Sequence, residues 1–323
     1  MLAFDWGAGN VKIYGRLGGI VLPSQVAVAN DAVMAGDAVG LKSSKPPMIV
    51  RLNGHKFWVG LGAHDWGRPV ENLADARFMT GSPELRALTY AALSEYQREI
   101  ALPNNTDMWI GLPQSAVTNE VVTGVRDWLR GDHAWWTMVD DEAQSYGIAI
   151  DRVTVTSQAA GALFDYLLDD GGRFIPARKA HFKREIGIVS VGMNTLELLV
   201  VESGKPKERF TASDSYGVRR LLELTDPRGM YSRGELDTML RSGSLDVRES
   251  VPVWASEVAG FIERKWGRAA ERFAATVIVG GGALLLGASL NVALYGKGIA
   301  SDDPIMAVAR GLYKMAMQRR NRK

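Results

Sequence analysis

The chain has 323 residues, of which 46% are hydrophobic and 23% charged, with a formal net charge of +2. This length suggests about two domains, and the composition excludes a disordered or fibrous protein. The absence of cysteine excludes disulfides, thiolate metal sites and cysteine nucleophiles, and the balanced charge argues against a dedicated nucleic-acid coat. Glycine is in excess, at 35 residues, where average usage is about 7%.

Strands and helices alternate along the chain, which predicts an α/β fold. Predicted strands cover residues 2–4, 11–14, 49–52, 56–59, 107–112, 152–156, 186–191 and 196–202. Predicted helices cover residues 82–99, 118–130, 159–168, 218–224, 253–273 and 303–317. Residues 172–184 form a basic connector that begins with glycine, and the Asn53-Gly54 pair predicts a tight hairpin turn.

An uncharged stretch of 24 residues, 273–296, is long enough to span a bilayer. A β-branched run precedes its glycine triplet, Gly280 to Gly282, and helix-forming residues follow. This order favours a buried strand, a glycine loop and a helix over a membrane span. The first ten residues contain an acid and no basic segment, so we expect no signal peptide and a cytoplasmic protein.

One long-range repeat is present: residues 5–13 and 190–198 stand 185 positions apart. Each copy has an apolar strand, a turn of small residues with a glycine at the same place (Gly7, Gly192), and a second strand. Successive backbone N–H groups in such turns form an anion-binding concavity, for which phosphate is the natural occupant. The alternative is that strand–turn–strand is a common arrangement and the match is chance.

The glycine triplet is a third place where a ligand can approach the backbone, because it lies at a strand end before a helix. The sequence around it matches neither the P-loop pattern nor the dinucleotide-binding pattern. Both of those superfamilies are therefore excluded.

The ordered set of motifs resembles the actin-like ATPase superfamily, and within it the bacterial plasmid-segregation actins of the ParM type. The first hairpin is similar to the first phosphate motif of that family, with its acid and lysine seven positions apart at Asp5 and Lys12. The glycine triplet resembles the adenosine motif. The other similar segments are residues 22–24, 52–54, 156–161, 189–195 and 304–311.

The resemblance implies a two-domain actin-like (ribonuclease H-like) fold with a nucleotide cleft between the domains. Domain I would comprise residues 1–156 and 300–323, with a small insertion subdomain around 33–75, and domain II residues 157–299. The implied cofactors are ATP or GTP and Mg²⁺.

The resemblance also implies a role for each matching residue. Asp5 would hold Mg²⁺ through water, Lys12 would reach the β- and γ-phosphates, and Gln158 would orient the attacking water. The remaining implied nucleotide-binding residues are Gly7, Ala8, Gly9, Asn10, Gly192, Met193, Asn194, Gly280, Gly281, Gly282 and, on the helix before the triplet, Glu263 and Arg264. Structural alternatives exist: a turn cap for Asp5, an ordinary helix start for Gln158, and a solvated helix face for Glu263 and Arg264.

One residue departs from the family pattern. The second phosphate motif normally begins with aspartate, and this chain has Ser190. The loss of a carboxylate weakens Mg²⁺ binding or water activation, since phosphoryl transfer depends on electrostatic positioning. Glu197, seven residues on, could compensate. We therefore expect nucleotide binding with slow hydrolysis.

These expectations favour a polymerising cytoskeletal protein that stacks head to tail with itself and serves DNA segregation or intracellular positioning, with an adaptor protein as a further partner. Direct sequence-specific nucleic-acid binding is not expected. The alternatives are a non-filamentous nucleotide-binding scaffold, which Ser190 favours, and a small-molecule kinase or chaperone-type ATPase of the same superfamily. The basic residues of 173–184 and 319–323 could be subunit or partner contacts.

Overall fold

A computed structural model of the chain describes residues 1–29, 45–71, 73, 75–100, 102, 105–140 and 142–322. The chain divides into two compact units, residues 1–156 and residues 157–323. The insertion predicted around residues 33–75 lies partly outside the described residues. The mixed α/β architecture is confirmed, with one large sheet in each unit.

The first unit is built on a ten-stranded sheet, in the order β3-β2-β1-β8-β10-β9-β5-β6-β4-β7. Its strands are β1 Leu2–Trp6, β2 Asn10–Gly15, β3 Gly18–Pro23, β4 Val26–Ala29, β5 Met48–Leu52, β6 His55–Val59, β7 Gly67–Val70, β8 Asn105–Leu112, β9 Gly131–Val139 and β10 Glu142–Ser157. The predicted turn between β5 and β6 is confirmed, because Asn53 and Gly54 both have positive φ.

The helices of the first unit are α1 Ala76–Met79, α2 Pro83–Glu99 and α3 Asn119–Leu129. Helix α2 begins where predicted, since the Ser82 hydroxyl accepts a hydrogen bond from the Leu85 amide and proline occupies the first turn. The helix packs on strands of the sheet, and the core includes two stacked pairs, Trp6 on Trp128 and Tyr90 on Trp135. These tryptophans are buried packing residues.

The second unit has a smaller sheet, in the order β13-β12-β11-β15-β16 with β14 paired to β12. Its strands are β11 Ile186–Val191, β12 Leu196–Glu202, β13 Lys205–Pro206, β14 Ala212–Asp214, β15 Ala275–Val279 and β16 Gly298–Ala300. Its helices are α4 Gln158–Leu167, α5 Pro176–Lys179, α6 Val218–Thr225, α7 Arg233–Ser242, α8 Ser250–Trp266, α9 Ala283–Ala293 and α10 Ala307–Asn321.

The uncharged stretch of 273–296 is β15, a glycine loop and α9, as predicted. Over the described ranges, no helix is both long and apolar enough to cross a membrane. Helix α8 is shorter than the predicted 253–273. It ends at Trp266 because Gly267 has a φ of +46°, which the α-helix cannot accommodate.

Helices α4 and α10 cross closely in the second unit. A methyl group at Gly161 would lie 2.6 Å from the Val308 carbonyl oxygen, and one at Gly311 would overlap the Gly161 carbonyl. Beside this crossing, the Asp165 carboxylate binds Arg310 through two hydrogen bonds of 2.7 Å and Lys314 at 3.0 Å. Residues 300–323 thus lie in the second compact unit, and their predicted assignment to an actin-like domain I stays a prediction.

Candidate functional site

The first predicted phosphate motif is the turn between β1 and β2. These strands are antiparallel, with Asp5 directly opposite Lys12, and the Gly7 amide donates to the Asn10 carbonyl at 3.0 Å to close the turn. The turn residues predicted to bind nucleotide, Gly7, Ala8, Gly9 and Asn10, are half-buried. They therefore occupy one short loop at a strand end.

A carboxylate and an ammonium group meet beside this turn. Lys12 Nζ lies 2.8 Å from Asp5 Oδ2, and the Asp5 side chain is only 4% exposed. A methyl group at Gly7 would lie 2.8 Å from the Asn10 carbonyl oxygen and 2.8 Å from the same ammonium, and the fixed backbone contact is the one that favours glycine. The absence of a side chain at Gly7 thus lets the Lys12 charge lie against the turn, where a phosphate group would need it.

Ser24 holds this turn in place, a role that the sequence did not predict. Its hydroxyl donates to the Gly7 carbonyl at 2.7 Å, and its amide donates to the Gly9 carbonyl at 3.1 Å. Ser24 thereby satisfies the carbonyl oxygens of both glycines of the turn. The segment 22–24 had been noted for its resemblance alone, and a serine directly after the strand-ending Pro23 was the only signal.

The second predicted motif repeats the first in its hydrogen bonding. The Gly192 amide donates to the Thr195 carbonyl at 2.9 Å, and both residues stand 185 positions after the pair that closes the first turn. Ser190 lies directly opposite Glu197 in the β11–β12 ladder, as Asp5 lies opposite Lys12. The repeat therefore extends from the sequence to the structure, down to the hydrogen bond that closes each turn.

The neighbouring strands extend the repeat. Strand β1 pairs in parallel with β8, and β11 pairs in parallel with β15. Each unit thus presents a hairpin turn beside a third, parallel strand. Because the charged pair of the first turn is replaced by Ser190 and Glu197 in the second, the two turns share a backbone but differ in charge.

The glycine triplet lies against the second hairpin. The Gly282 amide donates to the Val191 carbonyl at 3.0 Å, and the Gly280 amide donates to the Pro304 carbonyl at 2.7 Å. Gly280 has a φ of +92°, and a methyl group there would overlap the Val191 carbonyl. The second unit therefore brings Gly192, Met193 and Asn194 together with Gly280 to Gly282.

Two alanine substitutions in the triplet should differ sharply in stability. Gly280→Ala forces a side chain into a left-handed conformation and against the Val191 backbone, so we expect the free energy of unfolding to fall by about 1–3 kcal/mol. Gly281→Ala is the matched control, because a methyl group at Gly281 meets nothing within 4 Å. Urea denaturation measures both, and equal destabilisation would contradict the geometry described for the loop.

The remaining predicted residues lie on helices of the second unit. Gln158 is the first residue of α4, which the Ser157 hydroxyl caps by accepting from the Ala160 amide. Glu263 accepts a hydrogen bond from the Tyr295 hydroxyl at 3.3 Å, just beyond the end of α9. The α8 residue that packs against Gly282 is instead Trp254, so the nucleotide-binding roles of Glu263 and Arg264 stay predictions.

The donor set has the chemistry expected for a weakly held Mg²⁺. Within the described ranges, no group of three or more His, Asp or Glu side chains could enclose a metal ion. Mg²⁺ bound with a nucleotide keeps several waters and needs only one or two carboxylates. Asp5, a buried carboxylate beside the glycine turn, fits that requirement, whereas Ser190 removes the second carboxylate.

The comparisons with known proteins agree with this geometry. Residues 3–161 match the family described as the N-terminal domain of actin-like proteins. No curated protein matches the chain.

Three similar solved structures cover nearly the whole chain. An archaeal actin homolog in complex with ADP has a TM-score of 0.72 at 20% identity, covering 98% of this chain and 99% of that one. A 15-stranded ParM filament from Clostridium botulinum has a TM-score of 0.70 at 18% identity, covering 98% of both. The actin-like protein Alp7A has a TM-score of 0.76 at 13% identity, covering 99% of this chain and 96% of that one.

At these identities the likeness to solved structures establishes the fold, while the family match identifies the amino-terminal half. The repeated hairpin turns account for both findings in terms of particular residues. Residues 3–161 match the N-terminal domain of actin-like proteins, and the chain as a whole has the fold of actin-like proteins such as Alp7A and the ParM proteins.

Proposed function

We propose that this protein binds ATP or GTP with Mg²⁺ and uses it to control its own head-to-tail assembly into cytoskeletal filaments. The observation that carries the proposal is the Asp5–Lys12 pair lying against a glycine turn, together with a second turn that has the same backbone hydrogen bond. The ADP complex of the archaeal homolog and the filament of the Clostridium botulinum ParM support it by likeness of fold.

In this proposal, each candidate residue has a specific role in binding the nucleotide or in its hydrolysis. Lys12 binds the terminal phosphates as a point charge, the amides of both turns donate to phosphate oxygens, and Gln158 orients water. Asp5 holds Mg²⁺ through its waters, and the ion neutralises phosphate charge when it is bound. The glycine triplet admits the nucleoside close to the backbone, with Glu263 and Arg264 as further contacts to the base or ribose.

Hydrolysis is proposed to be slow because of the second turn. Ser190 offers a hydroxyl where the family has a carboxylate, and its cross-strand neighbour is Glu197. Directly opposite residues of an antiparallel pair have Cβ atoms about 5 Å apart. Glu197 is therefore near enough to supply part of the missing negative charge, though from the neighbouring strand.

A head-to-tail contact that does not close on itself generates a filament. We place such filaments in the cytoplasm, moving DNA or positioning other cargo, with an adaptor protein that links filament to cargo. A non-filamentous nucleotide-binding scaffold is the second candidate, and Ser190 is the observation that favours it, since slow turnover removes the switch that would disassemble a filament. A small-molecule kinase is a weaker alternative, as no further carboxylate motif marks an acceptor site.

Assembly and hydrolysis are measured together on the purified protein. With ATP and Mg²⁺, light scattering at 90° should rise and negative-stain images should show filaments, while phosphate release stays slow. Ser190→Asp should increase the rate of phosphate release, because it restores an acceptor for the metal's waters.

Three outcomes would count against parts of this proposal. No nucleotide-dependent polymer over a wide protein concentration range would favour the scaffold. Phosphate release equal to that of a Lys12→Ala variant would exclude hydrolysis. An unchanged rate in Ser190→Asp would show that this position does not act on the metal.

A further inference from the structure

Two segments of the second unit carry basic residues without any acidic ones. Residues 171–184 and 314–322 together hold nine lysines and arginines and no aspartate or glutamate. Over the whole chain the two signs are almost equal, at 38 basic and 36 acidic residues. The two short segments thus carry nine positive charges and no negative one, although the chain as a whole is nearly neutral.

The fold brings these two segments together. The Asn321 side-chain amide donates to the Gly171 carbonyl at 2.8 Å. Gly172, with a φ of +74°, packs so closely on the last turns of α10 that a methyl group there would lie 2.5 Å from the Gln318 nitrogen. The two segments therefore meet where residues 171–172 contact the end of α10, and we call the exposed cations of both segments together the basic surface.

Most of the charge on the basic surface is unbalanced. Arg173 pairs with Asp169, Arg178 donates to the Tyr166 carbonyl, and Lys314 is buried against Asp165. Six further side chains are exposed and, among the residues that the structure describes, have no ion-pair partner: Lys179, Lys183, Arg184, Arg319, Arg320 and Arg322.

The acids that flank the first segment offset only part of this charge: Asp169 pairs with Arg173, and the exposed Asp170 lies 3.6 Å from Lys314. Glu185 follows Arg184 directly, and its carboxylate accepts two hydrogen bonds from Arg272 at 2.6 and 3.0 Å. That pairing, with the nearby charges of Lys207 and Arg209, lowers the pKa of Glu185. The carboxylate is already neutralised by its own partner, so the field around the surface stays positive.

We propose that the basic surface binds the phosphate backbone of nucleic acid without reading its sequence. Complementary interfaces set a positive patch against a negative one, and this surface, with six unpaired cations beside the flanking acids Asp169 and Asp170, fits a strongly anionic partner. Four of the six unpaired cations are arginines, whose planar guanidinium groups bind phosphate in a bidentate manner. No direct sequence-specific binding is implied, in agreement with the expectation from the sequence.

This inference concerns the second unit alone and does not depend on nucleotide or on assembly. If subunits do assemble, the surface repeats along the polymer, and many weak contacts would hold one nucleic acid far more tightly than a single subunit does. The test is therefore made on the protein without nucleotide, so that its failure is distinct from a failure to form filaments.

The experiment measures fluorescence anisotropy of a labelled 30-base-pair DNA duplex between 50 and 200 mM KCl. Six phosphate contacts would give log K against log [salt] a slope of about −5. The triple variant Arg319→Ala/Arg320→Ala/Arg322→Ala should reduce the magnitude of that slope by about 3 and weaken binding at least about tenfold at 50 mM salt.

Matched variants distinguish an effect of the basic surface on DNA binding from an effect of the protein's net charge. Arg228→Ala/Arg233→Ala/Arg248→Ala removes three arginines that are also exposed in the second unit, and it should bind like the unaltered protein. Lys179→Glu/Lys183→Glu tests the other segment and should weaken binding as strongly as the α10 variant.

Several outcomes would overturn the proposal. The proposal is wrong if the protein shows no salt-dependent binding to DNA at 50 mM KCl, or if the two triple-arginine variants lose DNA affinity equally. It is also wrong if a duplex of different sequence binds more than about tenfold more tightly. Tighter binding of polyglutamate than of DNA would show that the partner is an acidic protein segment instead.

Discussion

Lys12→Ala should reduce nucleotide affinity and phosphate release at least about a hundredfold, in line with the loss of one charged group from a phosphate-transfer site. The ammonium group lies against the Gly7 turn and 2.8 Å from Asp5. Its removal deletes the positive charge of the turn and leaves the buried carboxylate repelling phosphate. Binding is measured with a fluorescent ATP analogue, and hydrolysis by phosphate release.

Arg16→Ala is the matched control, because Arg16 is an exposed cation just beyond β2. It changes the net charge equally and should leave both measurements near those of the unaltered protein. Losing the charged hydrogen-bond partner of a buried group lowers the free energy of unfolding by about 1–3 kcal/mol. The Tm of each variant is therefore measured first, and both assays are run at a temperature at which every variant is folded. If Lys12→Ala lowers Tm but binds nucleotide within about threefold of the unaltered protein, the Asp5–Lys12 pair has only a structural role.

Asp165→Ala should lower the free energy of unfolding by about 3–5 kcal/mol, the usual cost of removing one partner from a buried ion pair. Asp165 and Lys314 are each 7% exposed, and Arg310 binds the carboxylate through two hydrogen bonds. Without Asp165, Arg310 and Lys314 both lose this buried carboxylate and, among the residues that the structure describes, Lys314 keeps only the longer ion pair of 3.6 Å with the exposed Asp170. Denaturant titration and calorimetry measure the loss.

Asp246→Ala is the control with the same geometry at the surface. Asp246 accepts two hydrogen bonds from the Arg248 guanidinium, at 2.9 and 2.6 Å, but both side chains are exposed, and exposed pairs contribute little. Its loss should leave the unfolding transition nearly unchanged.

Replacing the whole buried cluster, as Asp165→Leu/Arg310→Met/Lys314→Met, should recover most of the stability lost in Asp165→Ala. An apolar cluster of similar volume has no charge to desolvate. An Asp165→Ala variant as stable as Asp246→Ala would contradict the burial of this cluster.

Local signals in the sequence predicted most elements of the fold. The Asn53-Gly54 turn, the Ser82 cap and the order strand, glycine loop and helix over 273–296 each depend on neighbouring residues alone, because turns and caps are short-range effects. The β9–β10 hairpin was largely missed, although Tyr146, Ile148 and Ile150 alternate inward. The residues between them are the small Gly147 and Ala149, which weaken the alternation, and a strand is stabilised by partners distant in sequence.

In the candidate site, too, some features were predictable from the sequence and others were not. The repeat at an offset of 185 residues marked both turns, since glycine positions are visible in a sequence wherever a backbone conformation requires them. The support that Ser24 gives to the first turn, and the packing of Gly280 and Gly282 on Val191, were not predictable. Those contacts join residues 15 to 91 positions apart, and many serines and valines are equally suitable by type.

By itself, the sequence determined that this is a cysteine-free α/β protein with two related glycine turns, a glycine triplet and a serine in place of an expected aspartate. Those are properties of composition and local pattern. Only the tertiary structure decided that Glu197 lies opposite Ser190, that Trp254 rather than Glu263 packs beside Gly282, and that two distant basic segments are in contact. Register and packing are decided by the combined burial of many side chains, so no single motif encodes them.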